Sequence, residues 1–282
     1  MQTDARPLFD RPVFIIAPPR SGTTLLYSLL STARDVWTIG GESHVVIEAV
    51  EPLQARARGW ESNRLTAADA RESTVRPLVE GFRARLSDRD GKPPPPGASG
   101  LRFLEKTPRN CLRVGFFAAA FPDARFIYLY REPRETVSSM LDAWRSPRFV
   151  TYPELPGWPG PRWSMLLVPG WRELAGKELA EVVARQWESA TAHLLDDLEA
   201  LPPERRCVAR YARLVEAPQE EAERLCAWMG VAWDRPVRAP LPPSRSILEP
   251  PKPDKWRRNA EELARVLPLV APTAERAARW AA

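Results

Sequence analysis

Residues 13–30, VFIIAPPRSGTTLLYSLL, run an apolar stretch into a loop of proline, arginine, serine, glycine and threonine, then into a helix-like apolar pattern. A strand that turns tightly into a helix N-terminus presents backbone N–H groups without carbonyl partners, together with the positive end of the helix dipole. Both attract a phosphate-like group. Gly22 lets the backbone come close, Ser21, Thr23 and Thr24 add hydroxyl donors, and Arg20 adds a permanent cation whose fork suits an oxyanion. A helix cap alone accounts for Ser21 or Thr23 and leaves the rest of the set unexplained. The loop therefore reads as an anion site. A nucleoside triphosphate loop needs G-x-x-x-x-G-K-[ST], with an acidic residue ending another strand to hold magnesium. Here the lysine and the spacing are missing, and the candidate second strand RFIYLYRE (125–132) ends in Arg131, which repels a metal and welcomes another phosphate. Two separate cationic clusters, at Arg20 and Arg131, point to a nucleotide phosphorylated at two positions, and no metal is demanded.

Around this loop, β-rich runs at residues 12–17, 36–39, 101–105, 124–130 and 206–211 alternate with longer helical patterns, and Leu25, Leu26, Leu29 and Leu30 mark one face of the first helix. The alternation predicts an α/β fold: a P-loop-like, three-layer architecture with a central, mostly parallel sheet of about five strands flanked by helices. At 282 residues and 44% hydrophobic content the chain is expected to form a single domain over 1–282. A Pro-rich loop, GKPPPPGAS, interrupts it at 91–99. Residues 146–172 combine proline, glycine and tryptophan, too rich in breakers for regular structure and too aromatic for a linker, so they read as a folded-over lid or pocket wall. Trp144, Trp158, Trp163 and Trp171 admit two readings there, a wall for an apolar or ring-bearing substrate or structural pegs. Residues 179, 182, 183, 187, 190 and 194 trace a buried helical stripe, which makes His193 at its margin structural.

The net charge of +5 is scattered, with no block of like charges and no basic–aromatic stripe, so nucleic acid is not the expected partner. Lysine is scarce, found only at 92, 106, 177, 252 and 255, which makes a motif lysine more informative. Cys111, Cys207 and Cys226 are odd in number and widely spaced, fitting apolar fillers rather than disulfides or zinc ligands. The N-terminal MQTDARPLFDRP does not read as a signal peptide, and no run of about 18 apolar residues offers a membrane span, so a cytoplasmic location is expected.

PPRSGTTLL (18–26) resembles the 5′-phosphosulfate loop of the sulfotransferases that use 3′-phosphoadenosine 5′-phosphosulfate (PAPS). YLYREPRETVSSML (128–141) is similar to their 3′-phosphate segment, with Arg131 and Ser139 at the family's eight-residue separation. EKTP (105–108) resembles the strand-end lysine motif, and RYARLVEAPQEEAERLCAWMGV (210–231) the later strand-and-helix signature. The resemblance implies that Arg20, Thr23, Thr24 and the loop amides hold the 5′-phosphosulfate, that Arg131 and Ser139 grip the 3′-phosphate, and that Lys106 neutralises the departing oxygen. The cytosolic branch places its catalytic histidine two residues after that lysine, where this chain has Pro108. The tyrosylprotein branch and many bacterial relatives use a glutamate after the second strand, and GGESH (40–44) offers Glu42 at a matching place with one extra residue between it and Arg20. Partial burial would raise its pKa toward operating pH. His44, two residues on and on the same face of an extended segment, is the rival base, an acceptor contact or a helix cap.

Two further assignments stay open. PPKPDKWRRNAEEL (250–263), with Lys255, Trp256, Arg257 and Arg258, resembles the family's late basic segment over the nucleotide, or is a solvated helix start capped by Asp254. Trp187 contacts adenine, as the family's analogous aromatic does, or packs in the core. The function implied is sulfuryl transfer from PAPS to a small-molecule acceptor, most naturally a hydroxyl, with adenosine 3′,5′-bisphosphate as coproduct. The alternatives are an ATP-dependent small-molecule kinase with an atypical loop, which would require magnesium, and a noncatalytic nucleic-acid binder with steep salt dependence.

Overall fold

The computed structural model describes residues 7–242, 248 and 254–282; the first six residues of the N-terminal stretch and residues 250–253 of the late basic segment lie outside them. In chain order the elements are β1 (Val13–Ile16), α1 (Thr23–Leu30), β2 (Val36–Trp37), α2 (His44–Ile47), α3 (Glu72–Arg83), β3 (Arg102–Lys106), α4 (Val114–Ala120), β4 (Arg125–Tyr130) and α5 (Pro133–Trp144). They continue with β5 (Val150–Tyr152), β6 (Trp163–Ser164), α6 (Leu179–Glu199), β7 (Arg206–Arg210), α7 (Tyr211–Glu216), α8 (Pro218–Met229), α9 (Ala260–Val266) and α10 (Ala271–Trp280).

All five expected strands form, joined in the order β2-β3-β1-β4-β7 with every pairing parallel. Parallel strands need crossovers that cover both faces, so the central strands β1 and β4 are apolar on both sides. Val13 and Ile15 turn toward α1 and α8, where Leu26, Leu30, Leu225 and Met229 bury with them. Phe14 and Ile16 turn the other way, into the core shared with α4, α5 and α6. There the Phe14 ring stacks on Phe117 at 4.3 Å and lies 5.6 Å from Phe126. Because β1 is flanked by β3 on one side and β4 on the other, the chain crosses over in opposite senses from it, and a crevice opens at its carboxyl end. The loop at 17–22 leaves β1 there.

Two expectations about regular structure are corrected. The run at 36–39 is a strand only through Trp37, because Thr38 leaves β3 and exchanges backbone hydrogen bonds with Ser87 at 3.0 and 2.8 Å. Residues 146–172 do hold regular structure: β5 and β6 pair antiparallel, with a register irregularity between Val150 and Tyr152. The tryptophans of this region are pegs. Trp163 and Trp171 are wholly buried, and the Trp163 ring packs edge-on against Trp144 at 5.2 Å and Trp158 at 4.9 Å. Gln186 of α6 locks them in place, accepting from Trp144 Nε1 at 2.9 Å and donating to the carbonyls of Ser164 and Leu166 at 3.0 and 2.8 Å. His193 is structural as expected, its Nδ1 2.7 Å from the Ser189 carbonyl. The three cysteines are free, Cys111 and Cys226 in the core and Cys207 half-buried.

Candidate active site

The crevice is a cavity of about 1000 Å³ at the carboxyl ends of the central strands, with the loop before α1 on its floor. Gly22 stands at the N-cap of α1 with φ of 99°, and no side chain caps the helix. The amides of Gly22, Thr23 and Thr24 thus open a helix whose first turn offers them no carbonyl. An added Cβ at Gly22 would lie 2.5 Å from Tyr211 Cδ2, so the glycine is fixed both by its backbone angle and by the ring lying on it. Replacing Gly22 by alanine is expected to push Tyr211 out and strain the loop by about 1–3 kcal/mol. Thermal unfolding and calorimetry with adenosine 3′,5′-bisphosphate should record losses of both stability and affinity; an unchanged affinity would show that the loop does not touch the nucleotide.

The loop's hydroxyls divide. Ser21 is buried and donates to the Pro18 carbonyl at 2.8 Å, so it closes the turn rather than facing a ligand, which corrects its assignment as a donor to the anion. Thr23 and Thr24 line the cavity. Arg20 adopts a left-handed backbone angle, φ 69°, a conformation that costs a non-glycine residue about 1–2 kcal/mol. Two contacts hold it there. Its carbonyl accepts from Arg131 Nη1 at 2.9 Å, and its Nε lies 3.4 Å from Ser139 Oγ, a long hydrogen bond. Arg20 and Arg131 are therefore one continuous basic wall, not the two separate clusters expected from sequence. Burial, and then the charges of Arg131 and Arg148, pull the Arg20 guanidinium down to about 10, against the opposing charge of Asp142. It is still protonated at neutral pH, and like charges so confined favour an anion between them. Arg131 is itself positioned by Glu135, 3.1 Å from its Nε, and by the face of Tyr211, 4.5 Å away.

Lys106 closes β3 almost fully buried, behind Thr24 and Glu42, which line the cavity while Lys106 itself does not. Its Nζ donates to Glu42 Oε1 at 2.7 Å and to Thr24 Oγ1 at 3.2 Å, and sits 5.8 Å from the centre of the Tyr27 ring. One ammonium thus joins the anion loop to the candidate base. Burial alone would raise the Glu42 pKa, but the imidazole of His44 and the ammonium of Lys106 outweigh it and hold the carboxyl down at about 2. This reverses the expectation from sequence, which counted burial without the partner. His44 opens α2 instead of sharing an extended segment, and its Nδ1 stands 3.6 Å from Glu42 Oε2, outside ordinary hydrogen-bond length.

Of the late basic segment, Lys255 and Trp256 line the cavity, with the Arg134 guanidinium 4.0 Å over the Trp256 ring. Arg257 lies against Asp254 at 3.4 Å and Arg258 pairs with Asp142, and neither lines the cavity. Asp254 does not cap the turn it precedes. Trp187 is in the core on α6 and does not line the cavity, which removes it from the nucleotide contacts. Sequence reasoning missed Arg109, Arg148 and Phe149, all of which line the cavity. Phe149 carries the Arg20 guanidinium 4.6 Å over its ring, while Arg109 is paired with Glu48. Tyr211 lay inside a quoted motif without a role.

Residues 12–155 and 162–235, well over half of the chain, match the sequence profile of the sulfotransferase family. The chain belongs to the sulfotransferase family. It is 24% identical over 232 residues to the protein-tyrosine sulfotransferase of Drosophila melanogaster, covering 80% of this chain and 39% of that protein. It is also 31% identical over 135 residues to protein-tyrosine sulfotransferase 1 of Danio rerio, covering 47% and 36%. This sulfotransferase chain thus spans less than half the length of either relative. Among solved structures, the sulfotransferase from Alicyclobacillus acidocaldarius aligns over 95% of this chain and 96% of its own, with a TM-score of 0.48 and 17% identity.

Proposed function

We propose that this protein transfers a sulfuryl group from PAPS to a hydroxyl acceptor. The observation that carries the reading is the placement of Lys106, whose ammonium bridges Thr24 on the anion loop and Glu42. The residues fit the donor: a glycine cradle beneath Tyr211, uncapped amides opening α1, and two adjoining arginines together offer a cationic seat. PAPS supplies an activated sulfuryl group whose bond to the nucleotide phosphate breaks as a bond to the acceptor oxygen forms. Arg20, the amides of residues 22–24 and Thr23 would hold its 5′ end, Arg131 and Ser139 its 3′-phosphate, and Lys255 with Trp256 the edge of the nucleotide. Lys106 Nζ would offset the negative charge on the departing oxygen, worth far more in a water-poor site than in water. Glu42 would take the proton from the acceptor hydroxyl.

A carboxylate held at about 2 is a weak base. When Lys106 turns its ammonium toward the leaving oxygen, Glu42 loses its strongest counter-charge and its basicity rises where the proton must be taken. Phe149, Val150 and Met165 give the cavity an apolar stretch of wall, which suits a small molecule carrying an alcohol or phenol. The relatives' names point instead to tyrosine in a polypeptide, so the test must hold both.

The test is incubation with labelled PAPS and a panel of alcohols, phenols, sugars and a tyrosyl peptide, read by mass spectrometry for an added sulfuryl group. Nucleotide recognition is tested separately by calorimetry, where adenosine 3′,5′-bisphosphate should bind well and AMP much more weakly. Arg131→Ala is expected to weaken the bisphosphate by about 1.5–3 kcal/mol, the worth of a charge-assisted contact, and AMP scarcely at all. Equal binding of the two nucleotides by the unaltered protein would reject the donor, and a magnesium-dependent preference for ATP would point to a kinase.

A further inference from the structure

Behind Glu42 and Lys106 lies a closed polar network that the transfer step does not use. Glu105 has no solvent exposure. Its Oε1 accepts from the hydroxyls of Ser43 and Thr107, each at 2.6 Å, and its Oε2 accepts from Asn110 Nδ2 at 2.8 Å. Thr107 Oγ1 accepts in turn from the Ser43 backbone N–H at 2.7 Å. Beyond Asn110, whose Oδ1 accepts from Arg113 Nη1 at 3.2 Å, the buried Arg113 donates its Nε to the Asn63 carbonyl at 3.0 Å.

Taking a carboxylate out of water costs several kcal/mol, and an apolar filler of the same volume is often no less stable. Stability alone is therefore a poor reason for Glu105. Its partners supply a better one. Ser43 follows Glu42 directly, and Thr107 follows Lys106 directly. A single oxygen of Glu105 thus grips the residue next to each of two side chains that meet from separate segments.

We propose that Glu105 is a positioning residue that keeps the Glu42 and Lys106 segments aligned toward the reacting atoms by clamping Ser43 and Thr107, the 2.7 Å pair being the mark of that alignment before transfer. The inference rests on the roles given to Glu42 and Lys106 above. Burial pushes the Glu105 carboxyl up while its three hydrogen bonds oppose that shift.

The test uses Glu105→Gln alone and combined with Asn110→Asp. The glutamine keeps an acceptor for the two hydroxyls but turns a donor toward the donor of Asn110. Adding Asn110→Asp restores an acceptor there, and that acceptor still faces Arg113. A displacement of about 1 Å at reacting groups can cost about 100-fold in rate, so Glu105→Gln should lower kcat by about 10- to 100-fold. Affinity for adenosine 3′,5′-bisphosphate should change much less, because Arg20 and Arg131 are held by contacts of their own and only Thr24 of the loop meets Lys106. Carbon-13 NMR of labelled glutamate should show the Glu42 titration moving up from about 2 as the carboxylate drifts from Lys106. The double variant should recover both kcat and the titration. An unchanged titration and kcat in Glu105→Gln would overturn the proposal, as would a double variant that regains melting temperature without regaining them. If the unaltered protein transfers no sulfuryl group to any acceptor, the proposed function fails instead, and the NMR titration still decides the role of Glu105.

Discussion

Lys106→Met should reduce turnover by about 100- to 1000-fold, the usual cost of removing one preorganised stabiliser of transition-state charge. Methionine nearly matches the length of the lysine stem and can keep its packing beside Tyr27, so the loss isolates the ammonium. Affinity for adenosine 3′,5′-bisphosphate should fall much less, since Arg20, Arg131 and the loop amides stay in place. A second effect follows from the ion pair. Glu42 is held at about 2 against the upward push of burial, with His44 and Lys106 as the opposing groups. Without the ammonium its carboxyl should titrate higher. The profile of kcat/KM against pH reports the free enzyme's essential groups, so the unaltered protein should show no acid limb from this base above about pH 4, and the variant should show one at higher pH. The sign for stability is the same. A carboxyl whose folded pKa lies below its ordinary value of 4.5 adds stability that is complete above that value and is lost as pH falls toward about 2. Lys106→Met should shrink that contribution, read as a flatter acid-unfolding profile between those limits. A variant with unaltered turnover would remove Lys106 from the chemistry.

Glu42→Gln should lower kcat by about 100- to 10,000-fold, the range for losing a positioned proton acceptor, with little change in bisphosphate affinity. The amide oxygen can still accept from Lys106, so the geometry of the ammonium is preserved while the proton acceptor is gone. Single-turnover measurements with a saturating donor separate this from a binding effect. The variant also judges His44, whose Nδ1 lies 3.6 Å from the Glu42 carboxylate. A variant that keeps its rate, and loses it when His44→Ala is added, would transfer the role of base to His44.

The anion loop and the sheet were legible because they depend on local sequence. Val13 to Ile16, Gly22 and the Leu26–Leu30 face announce strand, turn and helix within one short stretch, and β4 repeats the apolar signature of a strand buried on both sides. What could not be read depends on partners distant in the chain. Glu42 was picked out from its spacing, but its low pKa comes from His44 and from a lysine 64 positions away. Ser43, Thr107 and Asn110 look like ordinary turn residues, and nothing local says that their donors converge on a buried carboxylate. Trp187 was separated from the nucleotide only by the three-dimensional path of α6. The β5–β6 pair was hidden by its prolines and glycines, which mark turns reliably but do not forbid a few residues of pairing between them.

That pair also bears on how the protein could be re-engineered. Its anchor and its working surface use different residues: the Ser164 carbonyl is fastened to Gln186 of α6 and Trp163 packs on Trp144 of α5, while Val150 within it and Phe149 and Met165 at its ends line the cavity. That inner face is a small panel fixed from behind. Mutant libraries confined to Val150 and Met165 would vary the cavity wall while the scaffold is kept, whereas Phe149 carries the Arg20 guanidinium and changing it would disturb the proposed donor seat.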